Sequence, residues 1–262
     1  MRRIISAAVL LAILIPLLFI GGVYFRVLAT IIAVLAYREI INLKGTKNYP
    51  VSVLIIGLVV LLSLTLSERS EEFLEIGFKY EYLAFAFLAM FIPTLFFYGS
   101  KKYTTKDAFE LTAFICFIGI VLNLISNMVI FERPHFIMLL VVTIMTDTFA
   151  FFVGKNLGKR KFTRISPNKT IEGCIGGIVM GSLIATIYYV TFIGASPFYK
   201  VLFLNILLSL ACEIGDLFFS TIKREREIKD FSNLIPGHGG VLDRIDSLTF
   251  VTLAFILLKG LL

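Results

Sequence analysis

Residues 220–247 read STIKREREIKDFSNLIPGHGGVLDRIDS. This is the longest polar run in an otherwise apolar chain. Apolar stretches at about 199–222 and 246–262 flank it, each long enough to cross a bilayer. Within it stand Lys223, Arg224, Arg226 and Lys229, then Asp230, then the turn Pro236-Gly237-His238-Gly239-Gly240, then Asp243 and Asp246. Cations, a glycine turn around the second of only two histidines, and paired carboxylates are the parts needed to hold a phosphate with a metal. A polar site fixed between two spans points to an all-α, polytopic integral membrane protein with a polar cavity at one membrane face.

The composition agrees. Of 262 residues, 58% are hydrophobic, against roughly 45–50% in soluble domains, and the mean hydropathy is +0.92. The apolar runs are continuous and do not alternate, which selects helices over a membrane β-barrel. A net charge of +7 in a soluble domain would suggest nucleic acid. In a membrane chain it reads as the Lys and Arg enrichment of cytoplasmic loops. It also suits an anionic lipid or nucleotide, so no nucleic-acid partner is expected. Cys116, Cys174 and Cys212 are scattered in apolar segments without metal-ligand spacing and read as small core residues.

Nine candidate spans lie at about 4–24, 27–43, 50–67, 81–98, 109–130, 134–154, 171–193, 199–222 and 246–262. The first follows Arg2 and Arg3 as a signal peptide would. Gly21-Gly22-Val23-Tyr24-Phe25 is a poor cleavage site, so a membrane helix is expected there. Arg38 and Glu39 interrupt the second span near its end, where they either snorkel or face the interior. With nine spans, the side holding the N-terminus and the even-to-odd loops carries 19 Lys and Arg, and the opposite side 6. That bias predicts the N-terminus in, the C-terminus out, and residues 220–247 facing the cytoplasm. Residues 1–133 form an N-terminal group of about five scaffold spans, and 134–262 a C-terminal catalytic region of about four.

Asn123 and Asn127 share a helix face and suggest an interhelical hydrogen bond. Gly173, Gly177 and Gly181 form two overlapping G-x-x-x-G steps. They admit a close helix neighbour, from the same chain or from a second copy in a homodimer.

Chemistry-bearing residues gather toward the cytoplasmic ends of the last four spans. Asp147 is an intramembrane carboxylate, hence either functional or satisfied by neighbouring hydroxyls. Ser166-Pro167-Asn168-Lys169-Thr170 opens a helix, and free amides, a hydroxyl and a lysine there can cradle phosphate. An ordinary basic loop would also account for them. Glu213 and Asp216 lie three apart on one face, Asp216 closer to the loop. Asp243 and Asp246, also three apart, can meet one Mg²⁺, or one of them can cap the last helix.

The pattern Ser220-x-x-Lys223-Arg224 … Lys229-Asp230-x-Ser232 … Ile235-Pro236-x-His238-Gly239-Gly240-x-x-Asp243-Arg244-x-Asp246 resembles the signature of the phosphatidate cytidylyltransferases, or CDP-diacylglycerol synthases. Asp147-Thr148-Phe149-Ala150 and Ser166-Pro167-x-Lys169-Thr170-x-Glu172-Gly173 resemble two further blocks of that family. Phe151 departs from it, standing where many members carry Tyr. The specific resemblance covers about 145–250.

The resemblance implies transfer of CMP from CTP to phosphatidate, giving CDP-diacylglycerol and pyrophosphate. Asp216, Asp243 and Asp246 then hold Mg²⁺, with room for a second cation. Lys223, Arg224 and Lys229 hold phosphates of CTP or phosphatidate, and Ser166, Lys169 and Thr170 supply a further cradle. His238, Gly239 and Gly240 shape the loop over the nucleotide, with Asp230 beside them, and His238 alternatively touches phosphate. Asp147 ligates metal or partners Lys169. A lipid kinase, a cytidylyltransferase for another lipid, and an anion transporter are the rival classes. The transporter would want a midplane site, whereas these polar residues gather at one face.

Overall fold

The computed structural model describes residues 12–43, 49–67, 80–100, 102–194, 196–237 and 239–262. Among them the chain is helical, with no strand beyond two isolated bridges. Helix α1 covers 12–20. There follow α2 (Gly22–Asn42), α3 (Val51–Leu66), α4 (Tyr80–Phe96), α5 (Thr105–Phe131), α6 (Arg133–Leu157), α7 (Ile171–Phe192), α8 (Phe198–Glu225) and α9 (Leu242–Leu258), with a final 3₁₀ turn at Lys259–Leu261. Helices α5 to α8 are each long and apolar enough to cross a membrane, and α3 and α4 are shorter apolar helices. The chain is a polytopic helical membrane protein.

Two compact units divide the chain. One comprises Met1–Ile130 with Phe231–Leu242, the other Phe131–Asp230 with Asp243–Leu262.

In the first unit, polar side chains fasten apolar helices where no water can serve their backbones. The Tyr37 hydroxyl donates to the Leu54 carbonyl at 3.0 Å, joining α2 to α3. Asn123 Nδ2 donates to the Thr65 and Ser67 carbonyls at 3.1 and 2.8 Å, closing the end of α3 onto α5. Asn127 Nδ2 donates to Asn123 Oδ1 at 2.9 Å within α5, so of the two asparagines it is Asn123 that links helices. Thr104 and Asp107 exchange bonds across the start of α5: the Thr104 amide reaches Asp107 Oδ2 at 2.9 Å and the Asp107 amide reaches Thr104 Oγ1 at 3.4 Å. This reciprocal cap satisfies two amides that the first turn leaves over.

In the second unit, α6 carries proline in its first turn, where no intrahelical donor is lost. Thr170 caps α7 by accepting the Gly173 amide at 3.1 Å. The glycine face of α7 is filled by α6 of the same chain. A Cβ on Gly173 would lie 2.7 Å from the Ala150 carbonyl, and one on Gly177 would lie 2.6 Å from the Thr146 carbonyl. Hydroxyl and amide groups continue this packing. Thr146 donates to Ser209 at 3.2 Å, and Asn205 Nδ2 donates to Thr186 at 3.0 Å. At Gly215 the contact passes to α9, where an added Cβ would lie 3.0 Å from the Asp246 carbonyl. The last turn of α8 carries Lys223 and Arg224, cations at the negative end of the helix dipole.

Candidate active site

The connection between α6 and α7 is a built structure. The Phe162 amide donates to the Lys169 carbonyl at 2.9 Å and the Ile171 amide to the Arg160 carbonyl at 3.0 Å. Glu172, in the first turn of α7, accepts the amides of Lys159 and Arg160 at 3.1 and 3.2 Å. Lys161 Nζ donates to the Pro167 carbonyl at 2.6 Å, and the Lys169 amide donates to the Ser166 carbonyl at 3.1 Å. Most of the basic residues here are exposed, and Lys169 is the one the hairpin turns inward.

Lys169 Nζ lies 2.6 Å from Glu213 Oε2 and 2.6 Å from Asp216 Oδ2. Both carboxylates come from one face of α8, as their three-residue spacing requires. Burial works against the Lys169 ammonium, but Asp216 and Glu213 outweigh it and hold its pKa above the ordinary lysine value. Glu213 is nearly buried, and its other oxygen, Oε1, has no hydrogen-bond partner. Such an orphaned acceptor marks a place where a further group belongs.

A second ion pair stands at the end of α8. Lys223 Nζ lies 2.7 Å from Asp243 Oδ1, with side chains 11% and 3% exposed. Asp243 is in the first turn of α9. One turn on, Asp246 Oδ1 accepts the Ser247 amide at 2.8 Å, and the charges of Asp216, Lys223 and Asp147 act on it. Asp147 is exposed although it lies within α6. It accepts a weak bond from the Cys212 thiol at 3.7 Å and feels the charges of Lys169, Asp216 and Glu213. Asp147, Lys169, Asp216, Lys223, Asp243 and Asp246, all singled out from the sequence, therefore form one connected charge network.

The remaining residues lie around it or apart from it. Exposed Arg224 donates through Nε to the Ile165 carbonyl at 3.3 Å and so ties the end of α8 to the α6–α7 hairpin. The Thr170 hydroxyl oxygen is engaged as the helix cap, and Ser166 is partly buried. Lys229 and Asp230 are exposed. Gly239 and Gly240 belong to the first unit. There the Ile235 amide donates to the Gly239 carbonyl at 2.9 Å, in a turn where Gly237 and Gly239 take φ of 79° and 82°, a region that favours glycine. His238 lies outside the described residues.

Two acidic residues matter more than their sequence positions suggest. Glu213 ranks below Asp216 by its distance from the loop, yet it shares Lys169 equally. Glu39, in α2, is 4% exposed and accepts hydrogen bonds from Ser232, Val241 and Leu242. Only its placement in an apolar span hints at this.

Among the described residues, no group of three or more His, Cys, Asp or Glu stands ready-made around a metal position. The donor chemistry nevertheless fits a hard cation. Asp216, Asp246 and Asp147 are carboxylates in one electrostatic neighbourhood, and Glu213 brings a buried oxygen with no partner.

Comparison with known proteins places the chain. The family model described as "Cytidylyltransferase family" matches residues 1–262. The chain belongs to that family. It is 33% identical over 255 residues to the phosphatidate cytidylyltransferase of Bacillus subtilis (strain 168), covering 95% of this chain and 94% of that protein. It is 31% identical over 259 residues to the protein of the same name from Staphylococcus aureus (strain COL), covering 95% of each. A third such protein, from Staphylococcus saprophyticus, is 29% identical over 256 residues.

Proposed function

We infer that this chain is a phosphatidate cytidylyltransferase, a membrane enzyme of phospholipid biosynthesis that makes CDP-diacylglycerol from CTP and phosphatidate. The observation that carries the reading is the pair of ion clusters, Lys169 with Glu213 and Asp216, which is partly buried, and Lys223 with Asp243, which is buried. They hold cations and carboxylates in fixed geometry along the C-terminal half of α8, leading into the family's signature.

A phosphate oxygen of phosphatidate attacks the α-phosphorus of CTP. The new P–O bond forms as the bond from the α-phosphorus to the bridging oxygen breaks, and pyrophosphate leaves with that electron pair. The nucleophile is already an anion, so no strong base is required. The task is to bring two polyanions together and to meet the charge that develops on the leaving group. Lys169 and Lys223 are fixed cations for phosphate oxygens, and Arg224 and Lys229 are exposed ones where a nucleotide arrives. Ser166 and Thr170 frame Lys169. Gly239 and Gly240, with His238, shape the loop over the nucleotide, and Asp230 opens that loop.

Mg²⁺ is the cofactor in this reading, held by Asp216, Asp243 and Asp246 with Asp147 in reserve. When bound, it neutralises triphosphate oxygens. Before it binds, Lys169 and Lys223 neutralise two of those carboxylates, which lets the acidic set stay assembled without metal. The enzyme sits in the cell membrane with this site toward the cytoplasm, the N-terminus inside and the C-terminus outside.

The test is transfer of label from CTP carrying ³²P at the α position into the lipid phase, with phosphatidate and Mg²⁺ in detergent. Stoichiometric pyrophosphate release is expected. Label transferred instead from the γ position onto diacylglycerol would identify a lipid kinase, and no lipid-phase label from either would refute the reading.

A further inference from the structure

Glu39 is a carboxylate inside an apolar helix, where an ionisable group is costly unless something is built around it. Its partners come from 193 to 203 residues away in the chain. Oε1 accepts the Ser232 hydroxyl at 2.6 Å and the Val241 amide at 2.8 Å, and Oε2 accepts the Leu242 amide at 2.9 Å. Hydrogen bonds to an ionised acceptor are the strong kind. The amides of Val241 and Leu242 stand where the strap ends. Gly240 passes directly against it: a Cβ there would lie 2.6 Å from Oε1 and 2.8 Å from Oε2. One side chain thus grips the strap 232–242 at both of its ends.

We propose that Glu39 is a positioning residue for the reaction: it fixes the strap that carries Gly239 and Gly240, and thereby the loop that meets CTP. This rests on the proposed reading in which that loop shapes the nucleotide site. Two consequences follow from the geometry. The amides of Val241 and Leu242 are already taken by Glu39. A side chain at residue 240 would push the Glu39 carboxylate off its three donors.

The experiment uses the full-length chain in detergent, with Glu39→Gln, Glu39→Asp and Ser232→Ala. Gln keeps the shape, but its NH₂ meets the Leu242 amide donor to donor. Asp keeps the charge on a shorter stem. In Glu39→Gln the KM for CTP should rise by about tenfold, the size expected for losing a charged hydrogen bond, while the KM for phosphatidate stays within about twofold. Glu39→Asp should recover part of the loss. Gly240→Ala should impair CTP use, and pairing it with Glu39→Asp, which makes room, should restore some of it. Anchoring itself is read without substrate. A cysteine introduced at exposed Asn233 should react faster with a membrane-impermeant maleimide in the Glu39→Gln background, with the chain's own three cysteines as the blank.

Unchanged labelling together with unchanged KM for CTP would overturn the proposal. Faster labelling with the KM rising for phosphatidate instead would keep the anchor and overturn the nucleotide reading of the loop. If Glu39→Gln does not fold, Ser232→Ala, which removes one of the three donors, must show the same KM split in milder form, and its absence there overturns the proposal.

Discussion

The Nζ of Lys169 lies 2.6 Å from Oδ2 of Asp216, joining residues 47 apart in the chain. The contact brings the α6–α7 hairpin onto the C-terminal half of α8. It also turns two separate candidates, a phosphate cradle and a metal ligand, into one coupled unit with Glu213. Mutations in any of the three should therefore be read together.

Lys169→Ala should lower turnover by at least about tenfold, or about 1.4 kcal/mol of transition-state stabilisation. It also strips Glu213 and Asp216 of their counter-charge, and breaking such a pair costs about 3–5 kcal/mol when fully buried. Exposure of 20% at Lys169 and 28% at Asp216 places the expected stability loss below that range. The double variant Lys169→Ala/Glu213→Gln should regain thermal stability and stay inactive. Recovery of activity in the double variant would show that Lys169 serves only to neutralise Glu213.

The same lysine gives a pH dependence. Its folded pKa is raised above the ordinary value of 10.5, so its contribution to stability is complete below that value and is lost as pH rises through the folded value. The melting-temperature gap between wild type and Lys169→Met should be flat from about pH 7 to 10 and narrow only above that. A gap that closes between pH 7 and 9 would mean that the ammonium is not held by these carboxylates.

Asp216→Asn, Asp243→Asn and Asp246→Asn should each lose most CTP-dependent activity, and chelation should abolish wild-type activity until Mg²⁺ is restored. They should differ in stability. Asp243→Asn removes the carboxylate paired at 2.7 Å with the largely buried ammonium of Lys223, so it should melt lower than Asp246→Asn. Lys223→Met in the same chain should reverse that deficit without restoring turnover. Near-full activity in both the Asp243 and Asp246 variants would remove the metal assignment.

Gly177→Val should lower thermal stability in detergent by about 1–3 kcal/mol or more, because the new side chain meets the Thr146 carbonyl and Ala150. The oligomeric state on gel filtration should not change, since α6 already fills this face. Dissociation of a wild-type oligomer on this substitution would show that a second copy uses it.

A reporter fused after Leu262 should behave as extracytoplasmic, following the 19-to-6 distribution of basic residues. Cytoplasmic behaviour there would require one span fewer or more.

The sequence made some features plain and hid others for physical reasons. The start of α7 is legible because Ser166-Pro167 and the Thr170 cap are local signals, and the helix begins at Ile171 as expected. Helix α5 starts at Thr105 rather than near 109, and α8 runs to Glu225 rather than 222, because helices continue past the end of an apolar run into polar residues. Asp147, Asp216, Asp243 and Asp246 were legible as intramembrane carboxylates or as pairs at helical spacing. Their partners were not. The Lys169–Glu213 contact spans 44 positions and the Glu39–Ser232 contact 193, distances over which periodicity carries no information.

The seam between α6 and α7 bears on how a two-tailed substrate travels. Carbon atoms in contact need about 3.5–4.0 Å between centres. At Gly173 and Gly177 there is no room even for one added methyl beside the α6 carbonyls. Hydrocarbon therefore cannot slide between these two helices without prising their backbones apart. At these two turns the seam is closed to lipid tails.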